Sequence, residues 1–350
     1  MSEEAARKAG RRPTIKAVAA AAGVSTAAVS QAFNDKGRLS QATRRRILEA
    51  AVELGWSPSV PAAALRSART RALALVVRRP TDVLGADPHF SELITGIEGE
   101  LAPRGYGLVL HLVTDPREEN ALYERFAAEG RVDGAVLTDA RADDSRPALL
   151  ARLGLPAVLL GAPDGSTGVP RVGLGQQGAG VREVVEHLVG LGHRRIAYVA
   201  GPAELQHTRL RRQSFETALK AARLRPFAVL HTDFTERSAV GATEALLDAE
   251  GRPTAIVYAN DSMAVCGIGT AQRAGFGVPR DLSVVGYDNL PLGRWLHPRL
   301  TTVDQQVQRV GAAAARLLLA LCGEEVVELP LGDRPRLVVR ESTGPAPDLP

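Results

Sequence analysis

Several features that would define other classes of protein are scarce or missing in this 350-residue chain. It has two cysteines, Cys266 and Cys322, which cannot make a disulfide framework or a four-cysteine metal site. No apolar run approaches the ~20 residues that a membrane-spanning helix needs. The charged N-terminal segment has no apolar core, so it does not read as a secretory signal. These absences predict a protein of the reducing cytoplasm with no membrane partner.

Catalytic and metal-binding patterns are also missing. The sequence has no G-x-S-x-G, P-loop or H-E-x-x-H motif, and its seven histidines do not fall at metal-ligand spacing. We therefore expect no catalytic residue, no metal and no cofactor. The hydrophobic share of 45% and the charged share of 23% are those of a folded globular protein. The length predicts two large domains, or two plus a small one.

The charge is distributed unevenly along the chain. The formal net charge is +4, but residues 1–71 hold 13 Lys/Arg against 5 Asp/Glu, a balance of +8, which leaves −4 for the rest. A basic first fifth joined to a near-neutral body is typical of a small nucleic-acid-binding module on a larger domain. A merely solvated basic tail is the alternative.

The pattern inside this basic region predicts a helix-turn-helix. Thr14 and Ser25 can cap two short helices, and Gly23 ends the first of them. Val24 is predicted to be buried in the turn. Apolar residues lie at helical spacing in both segments: Ile15, Val18, Ala19, Ala22, Val29 and Phe33. Two short helices joined by a glycine-containing turn are the helix-turn-helix unit.

A third helix and a short fourth one are predicted next. Ser40 caps the third helix, Gly55 ends it, and Arg44, Arg45 and Arg46 lie near its solvated face, where they could attract phosphates. Its inner stripe is predicted to be Ile47, Ala50, Ala51 and Leu54. In residues 57–70, Pro61 fits the first turn of a helix barely two turns long, which is too short to be stable alone. A plain linker is the alternative for this segment.

From Leu73 onward, strand patterns alternate with helical ones, which predicts parallel sheets flanked by helices. The predicted strands are 73–77, 107–113, 134–138, 157–160, 195–200, 255–259 and 283–287. The predicted helices are 91–103, 117–129, 178–191, 209–223, 238–249, 262–274 and 307–321. About 270 residues are more than one such sheet uses, so two α/β lobes with a ligand cleft between them are expected.

Polar residues follow several of these strands, where α/β folds bind ligands. Thr138 ends one strand, Asn260 and Asp288 follow two others, and Arg211 is predicted to begin the helix after 195–200. Arginine and carboxylate side chains make the bidentate, charge-assisted hydrogen bonds that suit sugar hydroxyls. A simple capping role is the alternative for Asn260, Asp261 and Asp288.

The order of helix-turn-helix, third helix, Trp56-Ser57-Pro58 and an AxxL segment resembles the headpiece and hinge of the LacI/GalR family of bacterial repressors. Body segments of the family also stand in order, among them VEHLVGLGHRRIAYVAG (185–201), GVPRDLSVVGYDN (277–289) and LVVREST (337–343). The resemblance implies a small all-α helix-turn-helix domain followed by an α/β, two-lobed periplasmic-binding-protein-like body with parallel sheets. It also implies a homodimer, or a larger assembly, on pseudo-palindromic operator DNA, with a small effector, most simply a sugar or sugar derivative.

The resemblance also assigns residues. Those implied to contact DNA are Thr14, Ser25, Thr26, Ala27, Ser30, Gln31 and Asn34, with Leu65 as a minor-groove wedge. Those implied to contact effector are Arg211, Asn260 and Asp288, joined by Thr138, Gln305 and the stacking residue Phe90. Gln31 stands where arginine is common in the family, which favours adenine over guanine. Gly161 and Gln176 depart from polar positions of the family, and the hinge opens Pro58-Ser59 rather than Pro-Asn.

The expected division of the chain is a DNA-binding domain over 1–57, a hinge over 58–71, the body over 72–343 and a tail over 344–350. Within the body, one lobe is expected over about 72–173 and 304–325, and the other over about 174–303 and 326–343. The helices 91–101 and 307–321 are candidates for lobe packing or for the dimer seam.

Two other functions are compatible with parts of the sequence. The segment GLGQQG (173–178) matches G-x-G-x-x-G, which could mark an NAD-dependent oxidoreductase. A Rossmann site would want an acidic residue about 20 positions on, and Glu204 comes too late, so a glycine-rich turn at a lobe crossing is the better interpretation. A nonspecific architectural DNA-binding protein is the second alternative.

Overall fold

A computed structural model describes residues 13–33, 39–56, 69–79, 88–161, 168–173, 177–327 and 334–348. The chain divides between Thr70 and Arg71 into two compact units. In the described residues, no helix is long and apolar enough to cross a membrane. The expected hinge helix lies outside the described residues, and so do Pro58, Ser59, Pro61 and Leu65, on which predictions were made.

The first unit contains the helices α1 (Ile15–Ala22), α2 (Thr26–Phe33) and α3 (Gln41–Glu53). Gly23 ends α1 in a left-handed conformation with φ of 62°, which glycine adopts without steric cost. Val18, Val29 and Ile47 are fully buried, one from each helix, and the remaining buried positions are alanines. Such small side chains let short helices approach closely, so a unit of this size can still form a core.

Three details of this unit differ from the sequence prediction. Thr14 stands at the N-cap of α1, but its side chain makes no capping hydrogen bond. Leu54, predicted to face inward, is 37% exposed. Its place on the inner side is taken by Trp56, whose ring meets that of Phe33 edge-on at 5.2 Å between centroids. The larger aromatic surface covers the end of the core because α3 ends one turn before Trp56. Val24 is only half-buried.

The second unit contains a five-stranded parallel sheet in the order β2-β1-β3-β4-β5. Its strands are β1 (Ala72–Arg78), β2 (Gly107–Val113), β3 (Gly134–Leu137), β4 (Ala157–Leu160) and β5 (Arg171–Val172). Three helices follow strands of this sheet: α4 (Pro88–Leu101), α5 (Pro116–Glu129) and α6 (Arg146–Leu153). Leu73 to Val77 are fully buried, as expected for a central strand covered on both faces.

A second parallel sheet has the order β7-β6-β8-β9. Its strands are β6 (Ile196–Ala200), β7 (Val229–His231), β8 (Ala255–Tyr258) and β9 (Ser283–Val285). The helices around it are α7 (Gln177–Gly190), α8 (Gln206–Ala221), α9 (Glu236–Leu247) and α10 (Asp261–Arg273). Beside β9 lies an antiparallel pair, β10 (Thr302–Asp304) with β11 (Arg336–Val338). The parallel-sheet architecture predicted from the sequence is thus confirmed.

The helix α11 (Val307–Leu321) returns from β10 to the first sheet and packs on α4. The two helices meet at glycines: a Cβ on Gly96 would lie 2.0 Å from the carbonyl oxygen of Gln308, and one on Gly311 would lie 2.5 Å from that of Leu93. Leu318 and Leu319 are fully buried in the same core. The apolar stripe of α11 is therefore used inside this lobe.

The strands missing from the sequence prediction are the short ones, β5, β7, β10 and β11, which have two or three residues each. Runs of that length carry too little alternation to be recognised. The strand before the 173–178 glycine motif, β5, and the strand after it, β6, belong to different sheets. The motif therefore does not open a βαβ unit within one sheet, as a dinucleotide site requires. Residues 174–176, including Gln176, lie outside the described residues.

Candidate functional site

A cavity of about 900 Å³ of empty volume, part of it open to solvent, lies between the two sheets of the second unit. All six residues predicted to contact an effector line it: Phe90, Thr138, Arg211, Asn260, Asp288 and Gln305. Each of the six is at most 7% exposed. The structure thus brings the predicted set together around one space.

The fold explains why these residues meet. Thr138, Asn260 and Asp288 follow the carboxyl ends of β3, β8 and β9, and the carboxyl ends of parallel strands face the same side of a sheet. Gln305 follows β10, where the chain passes from one sheet to the other. Arg211 does not begin its helix as predicted: α8 begins at Gln206, three residues before the predicted start at 209, so Arg211 lies in its second turn.

A hydrogen-bonded network forms one wall of the cavity. Arg211 donates from Nη1 to the carbonyl oxygen of Ala259 at 3.1 Å and from Nη2 to Oε1 of Gln305 at 3.2 Å. Gln305 in turn donates from Nε2 to Oδ1 of Asp288. Arg211 Nε is buried without a hydrogen-bond partner. The network therefore places a guanidinium and a carboxylate side by side, joined by one amide.

Asp288 is held in an unusual backbone conformation. Its φ is 121°, and that of Asn289 is 58°. Non-glycine residues in such regions cost of order 1–3 kcal/mol and are concentrated at functional sites. Across the cavity, His89 Nδ1 lies 3.6 Å from Asp288 Oδ1. The Asp288 carboxylate thus lies on a strained turn and faces His89 of α4, a helix that packs on the first sheet.

Asn260 combines a structural contact with a place in the cavity. Its Oδ1 accepts a hydrogen bond from Met263 N at 2.8 Å and so caps α10. The capping alternative is therefore present, but it uses only the oxygen. The side-chain NH₂ is the group that Asn260 has to offer a ligand.

Sequence reasoning missed an ion pair on the opposite wall. Arg79 donates from Nε to Asp139 Oδ2 and from Nη2 to Asp139 Oδ1, both at 2.9 Å. The Arg79 Cζ also lies 4.4 Å from the ring centroid of Phe234. Arg79 and Asp139 stand just after β1 and β3, so the strand-end rule that found Thr138 would have indicated them. No local pattern in the sequence indicates that Arg79 and Asp139, 60 positions apart, form a pair.

The charges around the cavity balance. Arg79 and Arg211 are matched by Asp139 and Asp288. Burial alone would raise the pKa of Asp139, but the charge and hydrogen bonds of Arg79 outweigh it and hold that pKa well below its usual value. Burial, reinforced by the charge of Arg211, lowers the pKa of His207 to about 3, so this histidine is uncharged at neutral pH. The arrangement suits a polar ligand without net charge.

Much of the remaining lining is apolar. Leu93, Leu160, Val307 and Val310 contribute aliphatic surface, and Phe234 contributes an aromatic ring that stacks with His207 at 6.3 Å between centroids. Gly161 adds no side chain to this wall. Small-molecule sites commonly combine such surface with a few placed polar groups.

The first unit presents a separate candidate surface on α2. Ser25, Thr26, Ala27 and Gln31 are exposed and Ser30 is half-buried, whereas Val29 and Ala32 of the same helix point into the core. Ser25 Oγ accepts from Ala28 N at 3.2 Å, so it caps α2 as predicted. Thr14 is exposed at the start of α1. Asn34 and Leu65, also predicted to contact DNA, lie outside the described residues.

Comparison with known proteins agrees with this division. Residues 14–59 match the family model described as bacterial regulatory proteins, lacI family, and residues 185–343 match that of a periplasmic binding protein-like domain. The HTH-type transcriptional regulator CelR of Thermobifida fusca is 35% identical over 340 residues, covering 95% of this chain and 98% of CelR. The chain belongs to the LacI family of bacterial regulatory proteins.

Solved structures of LacI-family proteins share the fold. The transcriptional regulator CelR–cellobiose complex has a TM-score of 0.69 at 34% identity, over 95% of this chain and 100% of that one. The crystal structure of the Lac repressor dimer bound to operator and the anti-inducer ONPF has a TM-score of 0.82 at 28% identity, again over 95% and 100%. This LacI-family member is thus a DNA-binding transcriptional regulator with a two-lobed body for a small effector, as the sequence predicted.

Proposed function

We propose that the protein is a repressor whose affinity for operator DNA is set by an uncharged carbohydrate bound in the cavity. The observation that carries this proposal is the charge balance around one space, where Arg79 pairs with Asp139 and Arg211 is linked through Gln305 to Asp288. Both pairs offer planar donors and acceptors to vicinal hydroxyl groups. Their balance leaves no excess positive charge for a phosphate or carboxylate.

Two further observations support a sugar over other neutral ligands. The cavity combines its polar walls with apolar surface from Phe90, Phe234 and several aliphatic side chains, against which the C–H groups of a sugar ring can lie. The relative CelR, which covers nearly the whole chain, has been solved with cellobiose.

On the DNA side, we propose that α2 enters the major groove of each half of a pseudo-palindrome, as a homodimer allows. Thr26, Ala27 and Gln31 would contact base edges. Ser25, Ser30, Thr14 and Asn34 would lie nearer the phosphate backbone of the DNA. The proposed minor-groove wedge is Leu65. Replacing Leu65 with alanine should weaken operator binding and bending more than nonspecific binding. Equal loss on operator and random DNA would contradict the wedge.

We propose that lobe closure couples the two sites. The first lobe is taken as about 72–173 and 304–325, and the second as about 174–303 and 326–343. Backbone contacts across the cleft support this mechanism. Gln206 N donates to the carbonyl oxygen of Ala140 at 2.9 Å, and Arg141 and Leu205 form an isolated antiparallel β-bridge. A ligand that changes the balance of such contacts would move the hinge over 58–71. Induction and corepression are both compatible with this arrangement.

Calorimetry with matched ligands tests the effector class. Cellobiose, glucose, glucose 6-phosphate and adenine would be titrated into the full-length protein, and operator binding would be followed with and without each compound. We expect a neutral sugar to bind and to change operator affinity, and its phosphorylated form to bind more weakly. Binding of only the phosphate or only the nucleobase would contradict the proposal.

The proposed regulator has no catalytic activity. Titration with NAD and NADH should produce no heat of binding, since β5 and β6, which flank the glycine motif, lie in different sheets. Measurable nicotinamide binding would favour the oxidoreductase alternative. An operator-to-random affinity ratio near one would favour the architectural alternative.

A further inference from the structure

Asp261 is a buried carboxylate that the proposed effector contacts do not use. It is the first residue of α10, directly after Asn260, and only 1% of it is exposed. Its Oδ2 accepts from Leu290 N at 2.7 Å, and its Oδ1 accepts from the hydroxyl of Thr302 at 2.5 Å. The carboxylate fits there because residue 286 is glycine: a Cβ on Gly286 would lie 2.2 Å from Asp261 Oδ1.

These bonds hold the turn directly after Asp288, through the backbone amides of Asn289 and Leu290. Leu290 is the residue after the two left-handed positions, Asp288 and Asn289. The neighbouring Asn289 N donates to Thr302 Oγ1 at 3.2 Å, and the Thr302 hydroxyl in turn donates its O–H to Asp261 Oδ1. Unfavourable backbone conformations persist only where their surroundings over-determine them. The carboxylate of Asp261 is the acceptor on which both of these links end.

We propose that Asp261 is a positioning residue of the effector site, which fixes the 288–289 turn through Leu290 N and Thr302 and thereby sets the place of the Asp288 carboxylate. Only the identity of the ligand used below rests on the proposed function; the contacts of Asp261 do not.

The position also makes the turn sensitive to protonation. Burial, and after it the negative charge of Asp288, raises the pKa of Asp261 to about 7. The opposing influences are the hydrogen bonds from Thr302 and Leu290 and the positive charge of Arg340, whose Nη2 donates to Asn289 Oδ1 at 2.5 Å. An ionised carboxylate accepts both hydrogen bonds, whereas a protonated one donates its O–H to the Thr302 hydroxyl and leaves Leu290 N only a neutral, weaker acceptor. The turn is therefore held more firmly above pH 7 than below it.

Three proteins test this proposal: the wild type, Asp261→Asn, and Asp248→Asn as a matched control at an exposed position of the same lobe. The first measurement needs no ligand. Amide hydrogen exchange at pH 8 should be about tenfold faster at Leu290 in Asp261→Asn, since one charge-assisted bond is weakened. Asp248→Asn should match the wild type there. Unchanged protection at Leu290 in Asp261→Asn would overturn the proposal.

The second measurement is the cellobiose affinity from pH 5.5 to 8.5. Wild type and Asp248→Asn should bind about tenfold more tightly at the upper end, and Asp261→Asn should stay at the low-pH value throughout. His89, which lies 3.6 Å from Asp288, is present in all three proteins, so the difference between them isolates Asp261. Parallel pH profiles in all three would overturn the ionisation step. If the wild type does not bind cellobiose at all, the proposed function is at fault, and the exchange measurement still decides on Asp261.

The melting temperature separates positioning from general stability. Because burial raises the pKa of Asp261, its charge opposes folding above pH 7, and the neutral amide should not lower the melting temperature there. Faster exchange at Leu290 without a lower melting temperature supports the positioning role. A global loss of stability in Asp261→Asn would contradict it.

Discussion

The Cζ of Arg211 lies 3.7 Å from the centroid of the Tyr287 ring. The guanidinium is thus held on its face by an aromatic side chain and at its edge by Ala259 and Gln305. A lysine ammonium is a compact point charge and cannot reproduce this planar stack with two directed donors. The fold therefore fixes the orientation of the Arg211 guanidinium as well as the position of its charge.

Arg211→Lys and Arg211→Ala should therefore both weaken effector binding by at least about tenfold, the alanine variant more strongly, while operator binding persists. Arg212→Ala is the matched control, because Arg212 is the exposed neighbour that pairs with Glu216 at 3.6 Å. Calorimetry gives the effector affinity, and fluorescence anisotropy gives the operator affinity. A normal dose response in Arg211→Ala would remove this residue from the site.

Gln31 should read a base of the operator. Its side chain is exposed on α2, on the face opposite Val29. Because glutamine pairs with the N6 and N7 positions of adenine and arginine with guanine, Gln31→Arg should shift one position of each half-site from adenine to guanine. Selection from randomised DNA checks this. The control, Gln41→Arg on α3, adds the same charge and should raise affinity without changing the preferred sequence.

Gly96→Ala should destabilise the second unit by about 1–3 kcal/mol, because its Cβ would overlap the Gln308 carbonyl oxygen in the packed interface of α4 and α11. Gly99→Ala tests the same helix at a position with no atom within 4 Å. There the substitution should be neutral or should stabilise by up to ~1 kcal/mol, since alanine is the better helix former. Denaturant unfolding measures both. Equal effects of the two substitutions would contradict the close contact.

Arg79→Ala should lower the free energy of unfolding by about 3–5 kcal/mol at pH 7, since it leaves the buried Asp139 without its bidentate partner. In the wild type the pKa of Asp139 is depressed, so its stabilising contribution is present above its unfolded pKa and is lost only in strong acid. Without Arg79, burial raises this pKa, so the penalty should shrink as the pH falls. Unfolding between pH 4 and 8 measures the difference, and a constant penalty would contradict the ion-pair account.

Ser40→Ala should destabilise the first unit by about 1 kcal/mol, because Ser40 Oγ accepts from Thr43 N at 3.1 Å and caps α3. Thr14→Ala is the contrasting variant, as Thr14 occupies the N-cap of α1 without a side-chain bond. It should leave stability nearly unchanged while weakening DNA binding. Thermal unfolding of the first unit and operator titration distinguish the two, and equal destabilisation would show that the caps do not differ.

Local patterns in the sequence determined much of this protein. Caps, the turn at Gly23 and helical spacing predicted the three helices of the first unit. The alternation of strand and helix patterns predicted the parallel sheets. Thr138, Asn260 and Asp288 were found because a polar residue after a buried strand is a local signal. These features depend on residues a few positions apart, whose preferences act before any tertiary contact forms.

Only the tertiary structure decided which distant residues meet. Arg211 and Gln305 are 94 positions apart, and the pair Arg79–Asp139 spans 60. The short strands β10 and β11, which form beside β9, bring Thr302 to Asp261 and Gln305 to Asp288. Neither strand has enough residues to be specified by its own pattern. Their place is fixed by tertiary contacts with β9 and α7, and so is the geometry of the site.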